Sequence, residues 1–233
     1  MSLSYRFITG IFKTITDLIC RIDDAELAGV PRQGPLIIYT NHINILEIPI
    51  IFTRLQPRKV QGMLLAERWN NPILGWMLQV TEAIPLHRNT ADIAAIRMGL
   101  EALKKGRIII IVPEGTRSYD GGLQTAHPGV VLLALHSHAP LLPVAYYGAE
   151  MYMKNLSQLK RTDFHIKVGR PFHLDDQCEK VTRAVRKTII DEMMFQLSRL
   201  LPQKYRGYYA GATAVSERHL VFDMPGWDTR MRV

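Results

Sequence analysis

LIIYTNHINILE, residues 36–47, decides how this chain is read. Leu36–Tyr39 is a short, wholly apolar run of the kind that fills a strand buried on both faces. It ends abruptly in Asn41-His42, and a carboxylate, Glu47, follows five residues after the histidine. A second run of the same kind, RIIIIVPEGTRS (107–118), also breaks into a polar loop. In layered α/β sheets, ligands gather beyond the carboxyl ends of strands, so two such loops can share one cleft.

Helices and strands alternate outward from these runs. KVQGMLLAE (59–67), PLLPVAYYG (140–148) and DFHIKVGRPF (163–172) read as strands. NPILGWMLQV (71–80) reads as a short helix with Pro72 near its start. TADIAAIRMGLEALKKG (90–106) predicts a helix capped by Thr90, with Ile93, Ile96, Leu100 and Leu103 on one face and Gly106 at its end. PGVVLLALHSHAP (128–140) is a short apolar helix, and residues 178–201 form a long amphipathic one. The expected fold is α/β, with a central mixed sheet flanked by helices.

At the start of the chain, Ile8, Ile11, Phe12, Ile15, Leu18, Ile19 and Ile22 recur at helical spacing. The helix they predict either packs on its own domain or lies in a membrane interface. The expected division is 1–24 for this amphipathic helix, 25–201 for the α/β domain, and 202–233 for an irregular extension.

Composition narrows the function classes. The chain has 233 residues, 47% of them hydrophobic, enough for a substantial core. Its formal net charge is +8, which favours an anionic partner. No nucleic-acid-binding signature accompanies the charge, so weight moves to lipid headgroups and small phosphates. Cys20 and Cys178 form no CxxC motif and suggest neither a disulfide framework nor a thiolate metal site. No run approaches the roughly 18 apolar residues of a spanning helix.

His42 and Glu47 allow two readings. One is a general base whose second nitrogen is held by a carboxylate. The other is a helix-terminal histidine beside a solvated glutamate. In PEGTRS (113–118), Gly115 permits close backbone approach, and Thr116, Arg117 and Ser118 supply donors suited to a phosphate, with Glu114 placed to orient Arg117. AIPLHR (83–88) brings a second arginine, Arg88, to the end of an extended run.

These blocks, in this order, resemble the glycerophospholipid acyltransferase family, which includes the lysophosphatidate acyltransferases. NHINILE is similar to its His-x4-Asp block, AIPLHR to its arginine-ended block, PEGTRS to Glu-Gly-Thr-Arg-Ser, and PLLPVAYYG to a proline-containing apolar strand. The resemblance covers about residues 30–150. It implies His42 as general base and Glu47 as its partner. It implies Arg88, Glu114, Gly115, Thr116 and Arg117 around a glycerol-phosphate site, and Leu142-Pro143-Val144 walling the acyl site. It further implies transfer of an acyl group from acyl-CoA or an acyl-carrier protein to a lysophospholipid hydroxyl, without metal or cofactor. The implied place is the cytoplasmic face of a membrane, peripheral or monotopic, with no nucleic-acid partner. Two departures stand out: Glu47 replaces the family's aspartate, and Ala126-His127 stands where the family often has a lysine. They motivate an alternative, a lipid-binding protein on the same fold with impaired turnover. A third option is a thioester hydrolase.

Overall fold

In a computed structural model, which describes residues 3–87, 92–175, 181–211 and 216–222, helices and strands alternate along the chain. The first half runs α1 (Leu3–Ile19), β1 (Cys20–Asp23), β2 (Leu36–Thr40), α2 (Glu47–Arg54), β3 (Val60–Leu65), α3 (Pro72–Val80), β4 (Ile84–Leu86), α4 (Ile93–Lys104) and β5 (Ile108–Ile111). The second runs α5 (Gly129–Ser137), β6 (Leu141–Tyr147), α6 (Tyr152–Ser157), β7 (Thr162–Val168), β8 (Phe172–Leu174), α7 (Arg183–Leu200) and β9 (Leu220–Phe222).

Among the described residues the strands form one sheet in the order β1-β7-β6-β2-β5-β3-β4, with β8 beside β6 and β9 beside β8. β6, β2, β5, β3 and β4 are mutually parallel, so their carboxyl ends share one edge. β7 runs antiparallel to β6, and β1 runs parallel to β7. The expected mixed sheet flanked by helices is therefore borne out.

All five residues of β2 are buried because the sheet is covered on both faces. Ile37 and Tyr39 point into a core shared with α4, α5 and α7. Leu36 and Ile38 point the other way, into a core completed by α2. This alternation follows from the two-residue period of a strand.

Several expectations need correction. The N-terminal helix stops at Ile19 rather than running on through Ile22. Arg161 donates to the carbonyls of Asp17 (2.8 Å) and Cys20 (2.5 Å), and Cys20–Asp23 leaves the helix to pair with β7. The sheet thus reaches outside the expected boundary at residue 25. It does so again at the other end, where Leu220–Phe222 pairs with β8. A buried pair, His219 Nδ1 to Glu192 Oε1 at 3.0 Å, fixes the approach to that strand. Residues 202–222 are thus partly core, and Tyr205 and Tyr209 are buried too. DFHIKVGRPF is two strands, broken at Gly169-Arg170-Pro171. α4 is capped by Asp92, which accepts from the Ala95 N–H at 3.0 Å. Thr90, the expected cap, lies outside the described residues. α4 buries Ala95, Gly99, Ala102 and Leu103, leaving Ile93 exposed.

Candidate active site

The site is built where β2 and β5 end side by side. Asn41 follows the last residue of β2 and continues its pairing with a side chain. Its amide donates to the Tyr146 carbonyl at 2.8 Å, and its oxygen accepts from the Tyr146 N–H at 2.8 Å. A side chain here imitates one rung of a ladder, which frees the backbone to turn away.

The turn 42–46 wraps around a carboxylate. Glu47 is the first residue of α2 and reaches backwards, accepting from the Ile43 N–H (3.0 Å) and the Asn44 N–H (3.0 Å). Glu47 also contacts His42 Nδ1. A carboxylate only accepts, so Nδ1 carries the proton and Nε2 holds the free lone pair. Burial raises the Glu47 carboxyl above its ordinary pKa; the His42 contact and the two backbone donors oppose that rise. His42 is not on the helix, because Asn41 and Asn44 hold the loop open until Glu47. The Asn44 amide donates to the Ala149 carbonyl at 2.9 Å, and its oxygen accepts from the Leu46 N–H at 2.7 Å.

The backbone of His42 is gripped from the β5 side. Its N–H donates to Glu114 Oε1 at 3.0 Å, and its carbonyl accepts from the Ser118 N–H at 2.8 Å. Glu114 Oε2 accepts from the Gln124 N–H at 2.9 Å. Glu114 is thus a buried cross-link between loops, with its oxygens turned to backbone donors rather than to Arg117. Burial raises its pKa to about 7, reinforced by the charge of Glu47 and resisted by the two N–H donors. Gly115 adopts φ +69°, which a side chain rarely takes, and a Cβ there would stand 3.3 Å from the His127 ring.

The structure thus brings His42 and Glu47 together and lays Glu114, Gly115, Thr116 and Arg117 alongside. Glu114 is buried behind the loop; Gly115, Thr116 and Arg117 are exposed at its mouth. Arg88 lies outside the described residues, two positions beyond β4, whose carboxyl end shares this edge. Leu142, Pro143 and Val144 are buried within β6.

One supporting element escaped sequence reading. Residues 203–210 fold back onto the loop beyond PEGTRS. The Leu123 N–H donates to the Tyr205 carbonyl (3.1 Å), and the Tyr208 N–H donates to the Leu123 carbonyl (2.8 Å). The glycine and tyrosines of KYRGYY (204–209) were its only signal.

Comparison with known proteins agrees with this architecture. The Acyltransferase family model matches residues 21–147, more than half of the chain and every site position named above but Ala149 and the 203–210 support. A 1-acyl-sn-glycerol-3-phosphate acyltransferase of Bacillus subtilis is 26% identical over 173 residues, 74% of this chain and 84% of its own. A lyso-ornithine lipid O-acyltransferase of Pseudomonas aeruginosa is 30% identical over 123 residues, covering 52% of this chain and 46% of that protein. In fold, the chain is similar to the crystal structure of the 1-acyl-sn-glycerophosphate acyltransferase of Thermotoga maritima, with a TM-score of 0.60 and 20% identity over 81% of this chain and 76% of that one. The sheet, the order of the blocks and the family match together make this chain a member of the glycerophospholipid acyltransferase family.

Proposed function

We propose that this acyltransferase moves a fatty acyl group from a thioester donor to a free hydroxyl of a lysophospholipid, with His42 as general base. The observation that carries this reading is the His42–Glu47 contact at the carboxyl edge of the sheet. Nε2 of His42 takes the hydroxyl proton as the acceptor oxygen attacks the thioester carbonyl. Glu47 steadies the imidazolium that forms. The tetrahedral intermediate then expels the thiolate, which takes the proton from Nε2 and leaves as free thiol. No covalent enzyme intermediate is needed.

Arg117, exposed beside the imidazole loop, suits an anionic acceptor headgroup, and Gly115 lets a phosphate approach the backbone. Arg88 joins it in this reading. His127 stands against Gly115, so a phosphate-bearing acceptor such as 1-acylglycerol-3-phosphate meets a nitrogen donor there. Either coenzyme A or an acyl-carrier protein presents the thioester.

In this reading the reaction belongs at a membrane surface. α1 buries Tyr5, Ile8 and Thr16 against the domain but leaves Phe7, Ile11, Ile15 and Leu18 exposed. Those four fall on one side of the helix, and Phe7, Ile11 and Ile15 line a shallow groove of about 490 Å³ with Arg6, Gly10 and Thr14. No helix among the described residues is long and apolar enough to cross a membrane. A helix with one face on protein and another apolar face free suits the bilayer interface, which supports this reading.

Purified chain with 1-acylglycerol-3-phosphate and either donor should release free thiol. His42→Ala should lower kcat about a hundred- to ten-thousand-fold while melting within a few degrees of the parent. A folded parent that binds lysolipid but releases no thiol from any donor overturns the reading and favours the non-catalytic alternative. Thiol and free fatty acid released without acceptor would mark a hydrolase.

A further inference from the structure

The chain leaving β6 turns into α6 and then into a tight turn, Gln158–Arg161, before β7 begins. Leu159 in this turn has φ +55° and is 95% exposed. Both features work against stability in water. A positive φ crowds a leucine Cβ against its own carbonyl, and the side chain stays wet. A turn selected only for its shape takes glycine or asparagine here. Met151, Met153 and Leu156 are exposed beside it. Lys154 and Lys160 are exposed between these apolar residues.

This turn meets the end of α1. Arg161 binds the carbonyls of Asp17 and Cys20, and Cys20 is in register with Thr162. Leu18, 73% exposed on α1, follows directly on the residue whose carbonyl Arg161 binds. The end of α1, with Leu18 exposed, and the turn carrying Leu159 are tied together at one edge of the sheet. Nearby acids are held within the protein: Asp163 by Arg21, Asp17 by Lys13 and Arg54.

The surface also lies at the reacting edge. Because β7 is antiparallel to β6, Thr162 sits beyond the carboxyl end of β6, where the Ala149 carbonyl holds the His42 loop through Asn44. Ile45 in that loop is exposed as well.

We propose that the α6–β7 turn is a second membrane contact, inserting Leu159 and its apolar neighbours into an anionic bilayer while Lys154 and Lys160 meet the headgroups. The proposal rests on the reading of α1 as an interfacial helix and adds a second point to it. Two contacts at one edge of the sheet set the tilt of the protein and turn the mouth at His42 toward the lipid.

The test is flotation of the full chain with phosphatidylcholine vesicles containing phosphatidylglycerol. Leu159→Gly relieves the backbone and removes the apolar side chain together. It should keep or raise the melting temperature and lower vesicle partitioning about tenfold, the scale for one fully buried leucine. Leu159→Asp should lower partitioning at least as much. Partitioning of both variants equal to the parent's overturns the proposal. The double variant Ile11→Asp/Ile15→Asp separates it from the α1 reading. Loss with the double variant alone leaves α1 standing and the turn refuted. Loss with the Leu159 variants alone supports the turn and refutes α1 as the anchor. A parent that never floats refutes both.

Discussion

His42 is held at three points: its ring by Glu47, its N–H by Glu114, and its carbonyl by Ser118. In the proposed reaction, an imidazole gripped in this way has little freedom to lose when the acceptor arrives, which is where positional catalysis would originate. Glu47 is placed for its own length, since the same carboxylate also satisfies two backbone N–H groups. Glu47→Asp draws that carboxylate back by about 1 Å, and kcat should fall about a hundred-fold with KM little changed; steady-state kinetics separates the two. Glu114 gives a pH signature. Its carboxyl titrates near 7 in the folded chain, against 4.5 ordinarily. The folded state therefore keeps a proton that the unfolded state has released, and stability falls as pH rises from about 4.5 through about 7. The full swing is on the order of 3 kcal/mol. In thermal melts from pH 5 to pH 8, the parent should lose stability relative to Glu114→Gln. A constant difference between them would show that Glu114 is not so perturbed.

At the scale of elements, the long apolar strands were legible in sequence because burial on both faces leaves a continuous run, as at Ile108–Ile111. α3, with Asn71 accepting from the N–H groups of Ile73 and Leu74, was legible from its start signals. The short strands β1 and β9 were not. Their residues gain strand geometry only from partners far along the chain, Thr162–His165 and Phe172–Leu174. Within the site, the residue types of PEGTRS were readable, yet the inward direction of Glu114 was not. That direction depends on Gln124 and on a clasp from residues 203–210. The clasp itself is sharply constrained. Gly207 has φ +46°, and a Cβ there would stand 2.2 Å from the Leu123 carbonyl oxygen. Gly207→Ala should pull the clasp off, cost about 1–3 kcal/mol in denaturant melts, and lower kcat through the Gln124–Glu114–His42 chain of hydrogen bonds. Loss of stability with unchanged kcat would show that the clasp only braces the fold.

For the molecule as a whole, charge and shape act together. The chain carries +8, and α1 together with the neighbouring turn offers apolar surface at the edge where His42 stands. Attraction to anionic lipid contributes about 1 kcal/mol per basic residue close to the surface and is screened within about a Debye length. Partitioning onto phosphatidylglycerol vesicles should therefore weaken at least tenfold between 0.1 and 0.5 M salt, measured by co-sedimentation. Insensitivity to salt would leave apolar insertion as the sole driving force. The net charge favours an anionic partner but carries no orientation. The sequence displays charge in one dimension, whereas orientation depends on β7 reversing direction.

The clasp also carries a consequence for how the enzyme comes into being. Along the chain α1 is made before the His42 loop, and residues 203–210 only after the other described pieces of the site. A growing chain thus carries the exposed apolar face of α1 long before Leu123 is fastened. On the reading of α1 as an interfacial helix, ribosome-held chains that end before residue 203 should associate with vesicles, and turnover should wait for the clasp.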